Sequence, residues 1–415
     1  MLILSLVVSI FVTLFLVNKK LNIGYSLTIG SFLLAMLNGR SFLRFLEIFK
    51  ETLLEPTTIS LGSTIALITI LAYLMDKYLI LDRMIVALEK ILRSAKATIL
   101  VAPALMGTLL VSGGALMSCP IVGSLGDRLS IPNDRKATIN LIFRHALYFV
   151  FPLSPAILLA AEIGDFRVID FIKLQFPIAI VLYVFGYIFY LRNYQESKAE
   201  KINIKQYFQA FSDFLLYASP ILISLLGVVA FKVSFHISLL VGIAISVGIN
   251  QYDKRRDVKY DLQEHPLKTM YKGVKVPMVI AIVGIMLYKN TVNEIDEIII
   301  FLNNLLEQGM PIELLIFLST AVLCFPLAST NPGIAILFPM LLPLAPNYET
   351  KLLYAMFIYT SSFLFYYISP LHLCQVLTLE YFQVRVKDLY KNYLIILPLT
   401  YGVMVVIYFI NMIFN

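Results

Sequence analysis

Charge is scarce in this chain. Lys, Arg, Asp and Glu together make only 14% of the 415 residues, and hydrophobic residues make 59%, whereas soluble domains carry about 25% charged residues. No water-soluble fold could hide that much apolar surface. Cysteine is scarce too. Cys119, Cys324 and Cys374 are odd in number, lie inside apolar segments, and follow spacings that fit neither a disulfide framework nor a zinc site. They read as small core residues. No acidic residue falls at the centre of an apolar segment; Glu162, Asp165 and Glu380 come nearest, which weighs against a cation/proton antiporter built on a buried carboxylate. No H-E-x-x-H motif or paired Asp is present, so an intramembrane enzyme would have to rest on Ser369 and His372 alone. The net charge of +7 does not point to nucleic acid, because its Lys and Arg sit in short stretches between apolar blocks.

What is present is length. The apolar blocks run about 17 to 25 residues, as a helix needs to cross roughly 30 Å of hydrocarbon. Ten can cross: 1–17, 21–38, 57–75, 137–160, 171–191, 212–231, 235–250, 273–288, 351–378 and 393–412. The first lacks a basic leader and a small-residue cleavage site, and reads as a retained span. Two more blocks, 97–125 and 312–346, are interrupted by Ser, Gly, Asn and Pro and read as re-entrant hairpins. Broken helix at membrane depth persists only where protein or a water-filled cavity satisfies the freed backbone groups, so each break marks a candidate site.

Counting spans in order places 24 of the 33 Lys and Arg on one side. That side reads as cytoplasmic, because cytoplasmic loops carry the positive excess. Both termini then face outward, the first hairpin enters from the cytoplasm, and the second from outside.

Residues 162–173 (EIGDFRVIDFIK) and 380–391 (EYFQVRVKDLYK) agree at five of twelve positions. The shared E-x4-R-V-x-D-x2-K element reads as a clasp of charges at helix ends, with a gate as the alternative. Ser112-Gly113-Gly114 answers Ser329-Thr330-Asn331, and Ser154-Pro155 answers Ser369-Pro370, at nearly the same offset. The fold expected is therefore all-α and polytopic, with two repeats, 1–200 and 201–415, each of five transmembrane helices and one re-entrant hairpin. An odd number of spans per copy inverts the second, the plan by which many secondary transporters converge broken helices on a midplane site.

The breaks supply the candidate residues. Ser112, Gly113 and Gly114 would present backbone amides at a helix N-terminus, which favours an anion; tight small-residue packing is the alternative. Ser329, Thr330 and Asn331 are three polar side chains in an apolar segment, and burying them without partners costs several kcal/mol. They read as ligands of substrate or Na+, with a self-satisfied turn as the alternative. Proline frees carbonyls, so Ser154-Pro155 and Ser369-Pro370 could hold a coupling ion or simply kink their helices. His372 and Gln375 lack a polar counterpart in copy one; His372 is a candidate substrate contact or a hydrogen-bonded packing residue. Arg144, next to His145, reads as snorkelling to the cytoplasmic interface, with a functional role as the alternative.

With SGGALMSCP in copy one and STNPG in copy two, nearly the whole chain resembles the ion transporter superfamily, which includes divalent anion/sodium symporters, gluconate and citrate permeases and arsenite pumps. More narrowly it resembles an integral membrane family within it named as a domain of unknown function. The resemblance implies inverted repeats, a hairpin and an unwound helix in each, and a homodimer with moving transport domains. Dicarboxylate members carry Ser-Asn-Thr at each hairpin tip; this chain has Ser112-Gly113-Gly114 and Ser329-Thr330-Asn331, so that specificity does not transfer. The expectation is a secondary transporter, not an enzyme. It would move a small anion, an organic carboxylate or inorganic oxyanion, by alternating access across the cell membrane. Na+ or H+ would drive it, with no cofactor beyond Na+ and no nucleic-acid partner.

Overall fold

The computed structural model describes residues 2–108, 114–196, 203–256 and 265–414, and among them there are helices and no strands. The first ten helices are α1 (Leu2–Asn18), α2 (Ile23–Leu37), α3 (Phe42–Leu54), α4 (Pro56–Lys77), α5 (Ile80–Leu92), α6 (Ala95–Gly107), α7 (Gly114–Arg128), α8 (Asn133–Ala146), α9 (Pro155–Gly164) and α10 (Val168–Tyr190). The next ten are α11 (Ile204–Val229), α12 (Phe235–Arg256), α13 (Pro266–Gly273), α14 (Val276–Asn293), α15 (Asp296–Glu307), α16 (Ile312–Leu327), α17 (Asn331–Leu341), α18 (Tyr348–Ile368), α19 (Leu373–Phe382) and α20 (Val386–Phe414).

Seven helical segments among the described residues are long and apolar enough to cross a membrane, one of them running from α18 through α19. The expected spans 1–17 and 21–38 are the shorter α1 and α2. The expected span 137–160 is two helices, α8 and α9, parted by a 3-10 turn at Leu147–Phe149 and the prolines Pro152 and Pro155. Four helices were not expected at all: α3, α5, α13 and α15. Each is too short and too charged to span; α3, α5 and α15 bury apolar residues on one side, as α5 does with Ile80, Leu81, Met84, Ile85 and Leu88, while α13 buries only Thr269 and Gly273.

Helices one to ten and eleven to twenty follow in matching order. α9 and α19 begin at 155 and 373, α10 and α20 at 168 and 386, and both α9 and α19 end on a left-handed residue, Asp165 and Gln383. Packing recurs with partners exchanged. α4 lies on α12 as α14 lies on α2, α3 on α14 as α13 on α4, α7 on α19 as α17 on α9, and α8 on α20 as α18 on α10. At the α2–α14 crossing the backbones nearly touch: a Cβ on Gly24 would overlap the Ile280 carbonyl, and one on Gly284 the carbonyl of Gly24. Only glycine admits that approach.

The repeated charged element pairs locally. Arg167 Nε donates to Asp170 at 2.6 Å and Arg385 Nε to Asp388 at 2.8 Å, at the starts of α10 and α20. Both arginines are largely exposed, so the pairs sit at helix starts and add little stability.

Candidate functional site

The two breaks end their helices by the same means. In copy one, Ser154 takes an extended backbone and Pro155 opens α9, where its missing N–H costs nothing. In copy two, α18 stops at Ser369, Pro370 follows, and His372 becomes the residue capping α19. Tyr390 Oη donates to the Ile368 carbonyl at 2.6 Å, satisfying one acceptor that the break releases. These boundaries place Ser154 opposite His372 and Pro152 opposite Pro370, rather than Ser154-Pro155 opposite Ser369-Pro370. His372 thus has a polar counterpart in copy one, and it is Ser154.

The turn between α16 and α17 lies on the break between α8 and α9. Ala328 ends α16 in the left-handed region, Asn331 N donates to Ser329 Oγ at 3.4 Å, and Thr330 precedes α17. The Thr330 hydroxyl hydrogen-bonds the hydroxyl of Tyr148, in the 3-10 turn before the break. Tyr359 Oη donates to the Tyr148 carbonyl at 3.0 Å and the two rings stack. Thr330 and Ser154 are buried, while Ser329 and Asn331 are partly exposed.

Helix α7 lies beside the break between α18 and α19. Ser112 and Gly113 fall outside the described residues, and Gly114 is the first residue of α7. Further along α7, Cys119 meets Asn140 of α8 and Thr378 of α19: Asn140 Nδ2 donates to Thr378 Oγ1 at 3.1 Å and to Cys119 Sγ at 3.3 Å. Arg144 Nη1 donates to Ser118 Oγ at 3.5 Å. Only 6% of Arg144 is exposed. It does not snorkel. The α6 backbone runs so close to α8 that a Cβ on Gly107 would overlap the Arg144 carbonyl. His145 donates Nδ1–H to the Leu141 carbonyl at 2.8 Å, and its ring lies 5.0 Å from that of His372. Gln375 is fully buried beside Ser369, whose carbonyl accepts from its Nε2 at 3.5 Å.

The two clusters adjoin through aromatic rings. Phe363 contacts Tyr148 at 5.3 Å between ring centres and His145 at 6.3 Å. The structure thus brings Thr330, Tyr148 and Ser154 together on one side, and Arg144, His145, His372, Gln375 and Asn140 on the other. Asn140, Tyr148 and Arg144 are the members that sequence reasoning missed or misplaced. An Arg within an apolar segment, with Asn one helical turn before it, is the signal that could have found them. Pro155 is half-buried and Pro370 exposed, so each shapes its break without reaching these clusters' hydrogen bonds.

A cleft of about 1050 Å³ opens beside the first break. Ser60 and Thr64 of α4, Glu162 of α9 and His236 of α12 line it, and Pro152 is where it meets the break. Among the described residues, none of the site residues read from the sequence lines it.

The family described as "Protein of unknown function (DUF401)" matches residues 1–411. No curated protein matches. Among solved structures, the crystal structure of the Alcanivorax borkumensis YdaH transporter, reported to have an unusual topology, is similar with a TM-score of 0.57 and 12% identity over 86% of each chain. At that identity the likeness is one of fold.

Proposed function

We propose, on the premise that the chain belongs to the family described as protein of unknown function (DUF401), that it is a secondary transporter of a small anion. The observation that carries this reading is Arg144: a guanidinium buried in the helix bundle, beside Ser118 of a hairpin arm and next to the break of the opposite copy. Ionisable side chains at such depth are expensive and mark substrate or ion paths. A guanidinium offers five donors in a planar fork suited to carboxylate and oxyanion groups. The fold shared with a solved transporter supports the same class.

On this reading the chain is an ion-transporter-superfamily scaffold of two inverted repeats, 1–200 and 201–415. The exchanged packing of α1–α10 and α11–α20 supports that division, and the helix pairs α6–α7 and α16–α17 are the re-entrant hairpins. Arg144, Ser118 and His372 would face the anion with Ser112, Gly113 and Gly114. Ser329, Thr330 and Asn331 would contribute from the second hairpin. Ser154, Pro155, Ser369 and Pro370, with Ser112, Ser329 and Asn331, would hold a coupling Na+, unless protons drive the cycle. The cleft at Pro152 would be the outer approach, and the protein would work as a homodimer in the cell membrane with both termini outside.

The test is uptake by proteoliposomes containing purified protein, scanned over carboxylates and oxyanions with an imposed Na+ or proton gradient. Arg144→Gln should reduce gradient-driven uptake at least about tenfold, the loss of one charge-assisted contact, while its thermal melt in detergent shows the protein still folded. Full uptake by a folded Arg144→Gln protein would sink the assignment.

A further inference from the structure

We infer that the seam between α8 and α19 is a binding site for a soft monovalent metal cation, Cu+ or its analogue Ag+, held by His145, His372 and Cys374. Among the described residues these three offer one ligand atom each, all within 4.8 Å of one another. Metal–nitrogen bonds of about 2.0 Å and metal–sulfur bonds of about 2.3 Å require donors about 3.3–3.8 Å apart, so a side-chain adjustment of about 1 Å closes the site.

The state of each ligand agrees. The Leu141 carbonyl can only accept, so the proton of His145 sits on Nδ1, which leaves Nε2 with a free lone pair. A ligating histidine is commonly fixed this way, its second nitrogen donating to a backbone carbonyl. The hydroxyl of Tyr366, 3.4 Å from Nε2, is the competing partner that a metal would displace. His372 is 1% exposed, and neither of its ring nitrogens makes a hydrogen bond of normal geometry, although the Tyr367 backbone lies near. A buried imidazole in that condition carries a desolvation cost that a ligand would offset. Cys374 is only partly buried and gives the side from which an ion can enter.

Charge selects the ion. Two neutral imidazoles and one thiolate carry −1, and thiolate with imidazole suits Cu+ and Zn2+. Arg144 places a fixed positive charge beside both rings. A monovalent ion makes the centre neutral, whereas Zn2+ would leave +1 next to a guanidinium in a medium of low dielectric. The inference does not depend on what the protein transports, because its readout is binding.

The experiment uses full-length protein purified in detergent without chelators. It is titrated with Ag+, and with Cu+ against a competing chromophoric chelator, with Zn2+ in a parallel series. The expected result is one Ag+ or Cu+ per chain, with affinity falling more than about 100-fold in Cys374→Ala and in His145→Gln and unchanged in Cys324→Ala. X-ray absorption of the Cu+ protein should show two nitrogen ligands and one sulfur. Absence of stoichiometric Ag+ and Cu+ binding, equal binding by Cys374→Ala, or Zn2+ held more tightly than Cu+ would each overturn the inference.

Discussion

At the scale of single residues, one contact between the two halves is the hydrogen bond between the hydroxyls of Thr330 and Tyr148. Thr330 is buried, so removing either hydroxyl strands the other. We expect Tyr148→Phe and Thr330→Val each to cost about 1 kcal/mol, and the double variant to cost clearly less than their sum, since the two share one interaction. A double-mutant cycle from detergent melts measures this; strict additivity would show that the contact carries no stability. Gly107 is a harsher position. Its neighbour is the backbone carbonyl of Arg144, which cannot rotate away, so Gly107→Ala should cost about 1–3 kcal/mol and reduce uptake by displacing Arg144. Little of this was legible in the sequence. The Ser-Thr-Asn run was visible because three polar residues stood in an apolar segment. Tyr148 was not, because a tyrosine before a proline is unremarkable until the partner it reaches across the fold is known. Arg144 was visible but misplaced: distance from the break along one helix suggested an escape to the interface, and the packing of α6 and α7 over α8 closes that escape.

At the scale of elements, the breaks were predictable and their anatomy was not. Proline announces where a helix stops, but the caps that end α8–α9 and α18–α19 depend on partners remote in sequence, such as Tyr390 for the carbonyl of Ile368. Tyr390→Phe should leave that acceptor unsatisfied and cost about 1 kcal/mol. A melt indistinguishable from wild type would mean that water takes the place of the tyrosine. The amphipathic helices α3, α5, α13 and α15 escaped notice for a different reason. Continuous apolar length does not reveal a segment whose apolar residues recur every three or four positions, as in α5, which carries Arg83 and Lys90 among its buried leucines and isoleucines. The crossing of α2 and α14 was likewise silent, since Gly24 and Gly284 stand far apart in the chain. Gly284→Val should lower the yield of folded protein sharply, with a fluorescence size-exclusion profile as the measure, because the side chain would meet backbone rather than a movable rotamer.

At the scale of the whole molecule, a twelve-residue match is what points to a repeat in the sequence. The ten-to-ten correspondence of helices, and contacts that recur with partners exchanged, extend the match over helices that share no recognisable sequence. Burial selects apolar residues of the right size at each contact and leaves their identities free, so architecture persists after sequence similarity has gone. Chemistry has diverged along with it. Where copy two offers His372 at the head of α19, copy one offers Ser154 at the head of α9, and where copy one has Arg144 its helix partner α18 carries the small Ser361 and Ser362. The distribution of charge bears on how the chain would be oriented in a membrane. Lys and Arg concentrate in 76–96 and 251–275, and α5 and α13 within these stretches are too short to cross. If these stretches are cytoplasmic, a phosphatase active only outside the cytoplasm should be enzymatically active when fused after Asn415 and inactive when fused at the 192–203 connection. The reverse pattern would invert the molecule, turning the cleft at Pro152 toward the cytoplasm and making it the inner rather than the outer approach to Arg144.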